Sequence, residues 1–238
     1  MKTKITLAIA VSLLAGCAQM DTNYKQNARL NEIELNQRLI SSQLGLTNAT
    51  MPKYLPYMDG ITLGNPNAPY VMMEFTDLQC PFCAKFQTET FPAFKERYID
   101  TGEVFYVAKE LPLKQLHPEA TGAAVALRCA EEQSKEAYTP YKTSIFESKT
   151  LGNDFYLSKA KELALDERAF EVCLSNSKTL DAVNTSYKYA FGLGLTSTPS
   201  FIFGKNHKTY MSDFFILKGA LTELHIDEAL KGLKNSQL

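Results

Sequence analysis

The sequence predicts an α/β fold in which a strand–helix–strand unit and a strand–strand–helix unit flank a block of helices. Short runs rich in β-branched and aromatic residues predict strands at 70–76, 103–108, 200–203 and 214–217. Apolar residues at helical spacing fill the intervals between these runs and the segment after the last one. Because a helix connects the first two strands, that pair is predicted to be parallel.

Length and charge limit the classes of function. The 238 residues suffice for one domain with a sizeable core, together with a tail or an insertion. The formal net charge is -1, so nothing in the composition indicates a nucleic-acid or polyanionic partner.

The N-terminus has the features of an export signal. A basic start and an apolar run at 5–15, too short to span a bilayer, predict a signal peptide over 1–16. The stretch Leu14-Ala15-Gly16-Cys17 resembles the bacterial lipobox, in which the cysteine is acylated after cleavage. A plain signal with an incidental cysteine is the alternative. Cys17 is not followed by the aspartate that marks inner-membrane retention, which favours the outer membrane.

Residues 17–59 are predicted to form a lipidated stalk and a linker. Apolar residues within 21–48 recur at roughly heptad spacing, which fits either a solvated helical stalk or a short homodimerisation helix. Prolines and glycines at 47–69 predict a linker or loop that contains a short edge strand at 60–63. The globular domain is assigned to 60–238, with a helical insertion at about 117–194.

The helices are delimited by their punctuating residues. The first helix is predicted to open at Pro81 and to be kinked by Pro92. In the helical block, Pro118 suits a first turn and Pro140 predicts a break. Further predicted boundaries are the N-caps Ser158 and Asp166, the stop at Gly192 and Gly194, and the start of the last helix after Gly219.

The cysteine count indicates a disulfide framework. Setting aside Cys17, four cysteines remain in an exported chain, where disulfides persist. Four cysteines allow three connectivities. The short spacing of Cys80 and Cys83 favours Cys80–Cys83 with Cys129–Cys173, the second bond pinning the helical insertion. Two buried free thiols are the alternative for Cys129 and Cys173.

The stretch Cys80-Pro81-Phe82-Cys83 directly follows a predicted strand and opens a helix. A helix N-terminus favours negative charge, which lowers the pKa of Cys80 and makes its thiolate the nucleophile. Cys83, one turn further, is then the shielded resolving thiol. Half of a zinc site or a local structural disulfide is the alternative, but neither a second CxxC nor a pair of histidines supplies further zinc ligands. No metal and no small-molecule cofactor is predicted.

Four stretches resemble the DsbA-like thioredoxin family of thiol–disulfide oxidoreductases. The resemblance covers about 60–233 and implies a thioredoxin fold with an inserted helical subdomain. The stretches that carry it are 64–69, 74–83, 111–113 taken together with 117–120, and 196–201.

The resemblance also implies roles for individual residues. Cys80 matches the attacking cysteine, Cys83 the resolving cysteine, and Pro199 the cis-proline set against the redox motif. Glu74 matches a buried acid on the strand beneath the pair, where it would accept the proton of the buried thiol. A solvated, edge-facing carboxylate is the alternative, and Lys109 is the predicted partner of Glu74.

Two residues depart from the best-known DsbA pattern. Phe82 stands where that pattern has a histidine, so a less oxidising pair, nearer to thioredoxin, is expected. Thr198 before the proline is more similar to the disulfide isomerases and reductases of the superfamily. Together with Pro81, these two residues are expected to line the substrate groove.

The sequence thus predicts an enzyme that exchanges disulfides with unfolded or thiol-containing exported proteins in the cell envelope. Disulfide formation is the expected direction, and isomerisation or reduction is the alternative. A membrane redox partner would reset the pair. A copper-handling chaperone and a redox-inactive envelope scaffold are alternatives of another class. For His117, His207 and His225 only surface or capping roles are expected.

Overall fold

The computed structural model describes residues 51–57 and 59–235, and within these ranges six strands form one mixed sheet. Its order is β1-β6-β5-β3-β4-β2. The central strands β3 and β4 are parallel, as predicted, and the remaining pairs are antiparallel. The strands are β1 (Leu55–Pro56), β2 (Ile61–Leu63), β3 (Tyr70–Thr76), β4 (Val104–Glu110), β5 (Ser200–Asn206) and β6 (Tyr210–Lys218).

Helices cover the central strands, and every residue of β3 and β4 is buried. This burial explains why both strands are nearly continuous apolar runs instead of alternating ones. The helices are α1 (Pro81–Lys85), α2 (Phe91–Phe94), α3 (Ala120–Gln133), α4 (Tyr138–Glu147), α5 (Asn153–Glu162), α6 (Glu167–Leu174), α7 (Ser177–Gly192) and α8 (Glu223–Asn235). The predicted α/β class with a helical insertion is confirmed.

The first predicted helix is a composite of α-helical and π-helical turns. The π-helical segments Phe86–Thr90 and Lys95–Ile99 follow α1 and α2 respectively. Pro92 lies in the short α2, where the prediction places a kink. The composite helix packs aromatic side chains on the sheet, with the ring centroids of Phe86 and Phe201 4.6 Å apart.

Two of the predicted boundaries in the helical block are wrong. Ser158 lies inside α5, because the helix already starts at Asn153 and buries Tyr156 and Ala160 on its inner face. Pro140 does not break a helix. It occupies the first turn of α4, where a proline removes no intrahelical hydrogen bond. Asp166 is the predicted N-cap of α6, and its Oδ1 accepts the backbone N–H of Ala169 at 2.8 Å.

The globular domain begins earlier than the predicted boundary at residue 60. Leu55 is fully buried, and β1 pairs with β6 so that Leu55 lies opposite Met211. The Tyr57 hydroxyl also donates a hydrogen bond to Asn206 Oδ1. A two-residue strand is too short to show a periodicity. The prolines of this segment therefore predict a linker, and nothing in the sequence indicates a strand there. The predicted signal peptide, the acylated Cys17 and the dimerisation helix at 21–48 lie outside the described residues.

Cys129 and Cys173 form a disulfide that joins α3 to α6 across 44 residues. The bond ties together two helices of the insertion, as the pairing of the cysteines predicts. Among the helices of residues 51–57 and 59–235, none has the length and apolar character needed to cross a membrane.

Candidate active site

The two cysteines of the CxxC motif lie at the start of α1, directly after the short segment that joins β3 to this helix. Cys80 occupies the N-cap position of α1, and Cys83 lies in its first turn. Pro81 at the first helical position removes no hydrogen bond. Both cysteines are free thiols in this structure; Cys83 is fully buried and Cys80 is 5% exposed. Both residues are therefore buried, and Cys80 is the one that keeps some contact with solvent.

Thr198 and Pro199 lie against this motif, although they are more than a hundred residues away in the sequence. The Thr198-Pro199 peptide bond is cis. The Sγ atom of Cys80 is 3.4 Å from the carbonyl oxygen of Thr198. The topology brings these groups together because β5 begins at Ser200 and pairs antiparallel with β3, whose end leads into the motif.

The environment of Cys80 stabilises its thiolate. The thiol of Cys83, which hydrogen bonds to the Cys80 sulfur, is the main cause that lowers the pKa of Cys80 to about 5. Burial acts in the opposite direction. The Thr198 side chain and the backbone N–H groups of Cys83 and Phe82 also favour the anion. At neutral pH Cys80 is therefore a nucleophilic thiolate.

The environment of Cys83 has the reverse effect. Burial raises the pKa of Cys83 well above its usual range, and the adjacent Cys80 sulfur raises it further. The Asp77 backbone N–H and the Thr76 side chain oppose this rise only in part. The two sulfurs therefore hold different protonation states, a thiolate at Cys80 and a thiol at Cys83, and share one hydrogen bond.

Phe82 lies at the mouth of the site with 62% of its surface exposed. Its side chain adds no charge or polar group to the sulfurs, whereas its backbone N–H contributes to the lowered pKa of Cys80. Pro81 beside it is also exposed. The motif thus has an apolar outer rim around a polar helix N-terminus.

Glu74 is buried beneath the site, but its partner differs from the predicted one. Lys142 of α4 lies 3.0 Å from Glu74 Oε2, and the Tyr106 hydroxyl donates to the same oxygen. Lys109 does not reach Glu74 because it is in register with Phe75, so the pleat directs it to the opposite face of the sheet. Its ammonium group lies over the ring of Tyr189, 5.0 Å from the centroid.

Lys142 was missing from the sequence-based candidates. Both Lys142 and Glu74 are fully buried, and a second phenol, Tyr138, lies 3.4 Å from the Tyr106 hydroxyl. Glu74 Oε1 has no hydrogen-bond partner among the described residues. Glu74 contacts Lys142 and Tyr106 and has no described hydrogen bond to Cys83. Its role as proton acceptor for Cys83 therefore stays a prediction.

A second pair of residues next to the motif also escaped the sequence analysis. Asp77, the first residue after β3, is buried, and its Oδ2 lies 2.9 Å from Nδ1 of His117. The signal that could have found this pair is topological. Asp77 and the loop with His117 follow β3 and β4, and the ends of neighbouring parallel strands meet at one edge of the sheet.

The described part of the chain contains no group of three or more His, Cys, Asp or Glu side chains arranged to hold a metal ion.

Known proteins share this architecture. A family model described as thioredoxin matches residues 58–215. The crystal structure of α-DsbA1 from Wolbachia pipientis superposes with a TM-score of 0.66 and 26% identity, covering 76% of this chain and 94% of that one.

The chain spans about a quarter of the length of the curated relatives it matches first. One of these, the Na(+)/H(+) antiporter NhaA 1 of Mycobacterium sp. strain KMS, is 31% identical over 148 residues, which are 61% of this chain and 24% of that protein. A Rickettsia conorii protein, whose name assigns it provisionally as a protein-disulfide oxidoreductase, is 26% identical over 59% of this chain and 52% of its own length.

Proposed function

This chain belongs to the thioredoxin family, in its DsbA-like branch, and from that premise we propose that it is a thiol–disulfide oxidoreductase of exported proteins with Cys80 and Cys83 as its redox pair. The observation that carries the proposal is the opposite perturbation of two sulfurs in contact. The pKa of Cys80 is lowered and that of Cys83 is raised. A bond with only a structural role has no need of this asymmetry.

In the forming direction the oxidised protein carries the Cys80–Cys83 disulfide. A client thiolate attacks the Cys80 sulfur, the bond between the two cysteines breaks, and Cys83 leaves with the electron pair and takes up a proton. The product is a mixed disulfide between Cys80 and the client. The high pKa of Cys83 favours this protonated state.

A second client thiolate then attacks the client sulfur of the mixed disulfide. A client disulfide forms, and Cys80 leaves as a thiolate, a good leaving group because its pKa is low. Two client thiols are oxidised to one disulfide, and the protein pair is reduced by two electrons. A membrane redox partner with a more oxidising disulfide would take these electrons and restore the pair.

The stabilised Cys80 thiolate supports disulfide formation as the net direction. A low pKa stabilises the reduced protein and so makes its disulfide a stronger oxidant. The value of about 5 lies between about 3.5 for DsbA and about 7 for thioredoxin. Isomerisation or reduction of client disulfides is the alternative, and Thr198 is the residue that favours it.

The groove for clients is proposed to comprise Pro81, Phe82 and Thr198. Phe82 offers exposed apolar surface beside the reactive sulfur, which suits unfolded chains with exposed hydrophobic side chains. Because disulfides form and persist in oxidising compartments, exported proteins are the proposed clients. The lipobox-like stretch at Cys17 supports anchoring in the cell envelope, which mass spectrometry of the mature N-terminus would test.

The experiment that tests the function mixes the oxidised protein with a reduced peptide that contains two cysteines, without any other oxidant. We expect one peptide disulfide per protein molecule, together with reduction of Cys80 and Cys83, because the exchange conserves electrons. Mass spectrometry of the peptide measures the yield. The reverse mixture, reduced protein with oxidised peptide, is the matched control for direction.

A higher yield in the reverse mixture would make the protein a reductase or isomerase. No exchange in either mixture would leave a scaffold or a copper-binding protein as the better account.

A further inference from the structure

His117 contacts the buried carboxylate of Asp77, which accepts hydrogen bonds within and next to the segment between β3 and the redox pair. Asp77 Oδ1 accepts the backbone N–H of Gln79 at 2.8 Å, and Oδ2 accepts the backbone N–H of Leu113 at 2.7 Å. The His117 ring adds a third contact, from Nδ1 to Oδ2 at 2.9 Å. A carboxylate only accepts hydrogen bonds, so Nδ1 of His117 carries the hydrogen and donates it.

The backbone of Asp77 touches both cysteines of the pair. Its carbonyl oxygen accepts the N–H of Cys80 at 3.1 Å. Its own N–H opposes the rise in the pKa of Cys83, because it favours negative charge on that sulfur. The position of Asp77 therefore sets where two hydrogen-bonding groups lie relative to the reacting sulfurs, and the Asp77 side chain is what fixes that position.

The partners of Asp77 come from the loop that joins β4 to the helical insertion. Leu113 and His117 belong to this loop, which is closed by the hydrogen bond from the His117 N–H to the Leu113 carbonyl at 2.9 Å. A second bond reinforces the connection, from the Glu119 N–H to Gln79 Oε1 at 2.7 Å. The His117 side chain is 21% exposed, whereas the Asp77 side chain is fully buried.

We propose that His117 is a positioning residue for the redox pair, which holds the Asp77 carboxylate and through it the geometry of Cys80 and Cys83. This inference rests on the proposed function, because it concerns the same two sulfurs. Loss of the imidazole donor would leave a buried carboxylate with one hydrogen bond fewer. The segment from Asp77 to Cys80 would then relax and stabilise the Cys80 thiolate less well.

The reduction potential of the Cys80–Cys83 pair distinguishes a positioning role of His117 from a role in folding alone. A residue that only supports the fold stabilises the oxidised and reduced forms equally, so it leaves the equilibrium between them unchanged. A residue that positions groups around the thiolate acts on the reduced form more strongly. Its removal therefore shifts the equilibrium constant for exchange with glutathione.

The test compares three variants of the full chain by equilibration with glutathione. His117→Leu removes the donor. We expect the equilibrium constant for reduction of the Cys80–Cys83 disulfide by glutathione to fall about tenfold, which corresponds to a reduction potential that is about 30 mV less oxidising. His117→Asn keeps an N–H donor near the position of Nδ1 and should stay within about twofold of the wild type. Leu116→Ala changes an adjacent side chain that is 73% exposed and should leave the constant unchanged.

A His117→Leu variant with the wild-type constant would overturn the proposal, even if it unfolds more easily. If His117→Leu does not fold, His117→Ala, which also removes the donor, takes its place, and a constant equal to the wild-type value would again overturn the proposal. Failure of the wild-type pair itself to equilibrate would instead contradict the proposed function, so the two failures are distinguishable.

Discussion

Substitution of Cys83 by alanine is expected to turn the protein into a trap for its clients. Cys80 remains at the helix N-terminus and still attacks a client disulfide, but no protein thiol is left to resolve the mixed disulfide. Turnover should fall on the order of 10³-fold or more. Non-reducing electrophoresis with mass spectrometry of the adducts measures the trapped complexes.

The matched control is Cys80→Ala, which leaves the buried Cys83 as the remaining thiol of the pair. Because Cys83 is fully buried and its pKa is raised, this variant should form no adducts. A Cys129→Ala/Cys173→Ala variant should trap nothing and exchange normally, since that disulfide joins α3 to α6 away from the motif. Equal trapping by both single variants would contradict the assignment of Cys80 as the attacking cysteine.

Substitution of Lys142 by methionine should destabilise the folded protein by about 4 kcal/mol, because it leaves the buried Glu74 carboxylate without its cation. Methionine has a similar length, so lost packing contributes little. The free energy of unfolding, from denaturant titration monitored by circular dichroism, measures the effect. Burial of an unpaired charge is among the costliest single changes in a folded protein.

Two further variants isolate the charge. Glu74→Gln/Lys142→Met removes both charges and should be markedly more stable than Lys142→Met alone, because no uncompensated ion remains. Lys161→Met breaks an exposed ion pair with Glu167 and should change the unfolding free energy little. If Lys142→Met proved as stable as the wild type, the buried pair would contribute nothing and the description of this network would be wrong.

The sequence predicts those features that depend on neighbours along the chain. The strand before Cys80 and the proline that opens the helix behind it are adjacent in the sequence, so their local patterns suffice. The role of Pro199 could also be predicted, because this proline directly precedes a strand whose place in the element order is recognisable.

The partner of Glu74 could not be predicted in the same way. Lys142 is 68 residues from Glu74 and lies on a helix whose packing on the sheet is a tertiary property. The choice of Lys109 was wrong because of the register between β3 and β4, which is a tertiary property. In the parallel pairing Glu74 is opposite Ala108, so the next residue points to the other face.

His117 was predicted to have only a surface or capping role, because a lone histidine in a loop carries no pattern. Its contact with Asp77 joins positions 40 residues apart. Only the parallel register of β3 and β4, which brings their following loops side by side, makes the pair visible.

The reduction potential of the Cys80–Cys83 pair, measured against glutathione between pH 4 and pH 8, tests the central claim most directly. The Cys80 thiolate stabilises the reduced protein above its pKa of about 5, and this contribution is lost as the pH falls through that value. The absolute potential of the pair should fall with rising pH by about 59 mV per pH unit below pH 5, where reduction binds two protons. Above pH 5 reduction binds one proton, and the potential should fall by about 30 mV per pH unit.

At pH 7 we predict a value between roughly -270 mV, as in thioredoxin, and roughly -120 mV, as in DsbA. A pair that never equilibrates with glutathione, or one that shows the steeper slope over the whole range, would contradict a stabilised Cys80 thiolate and with it the proposed oxidoreductase.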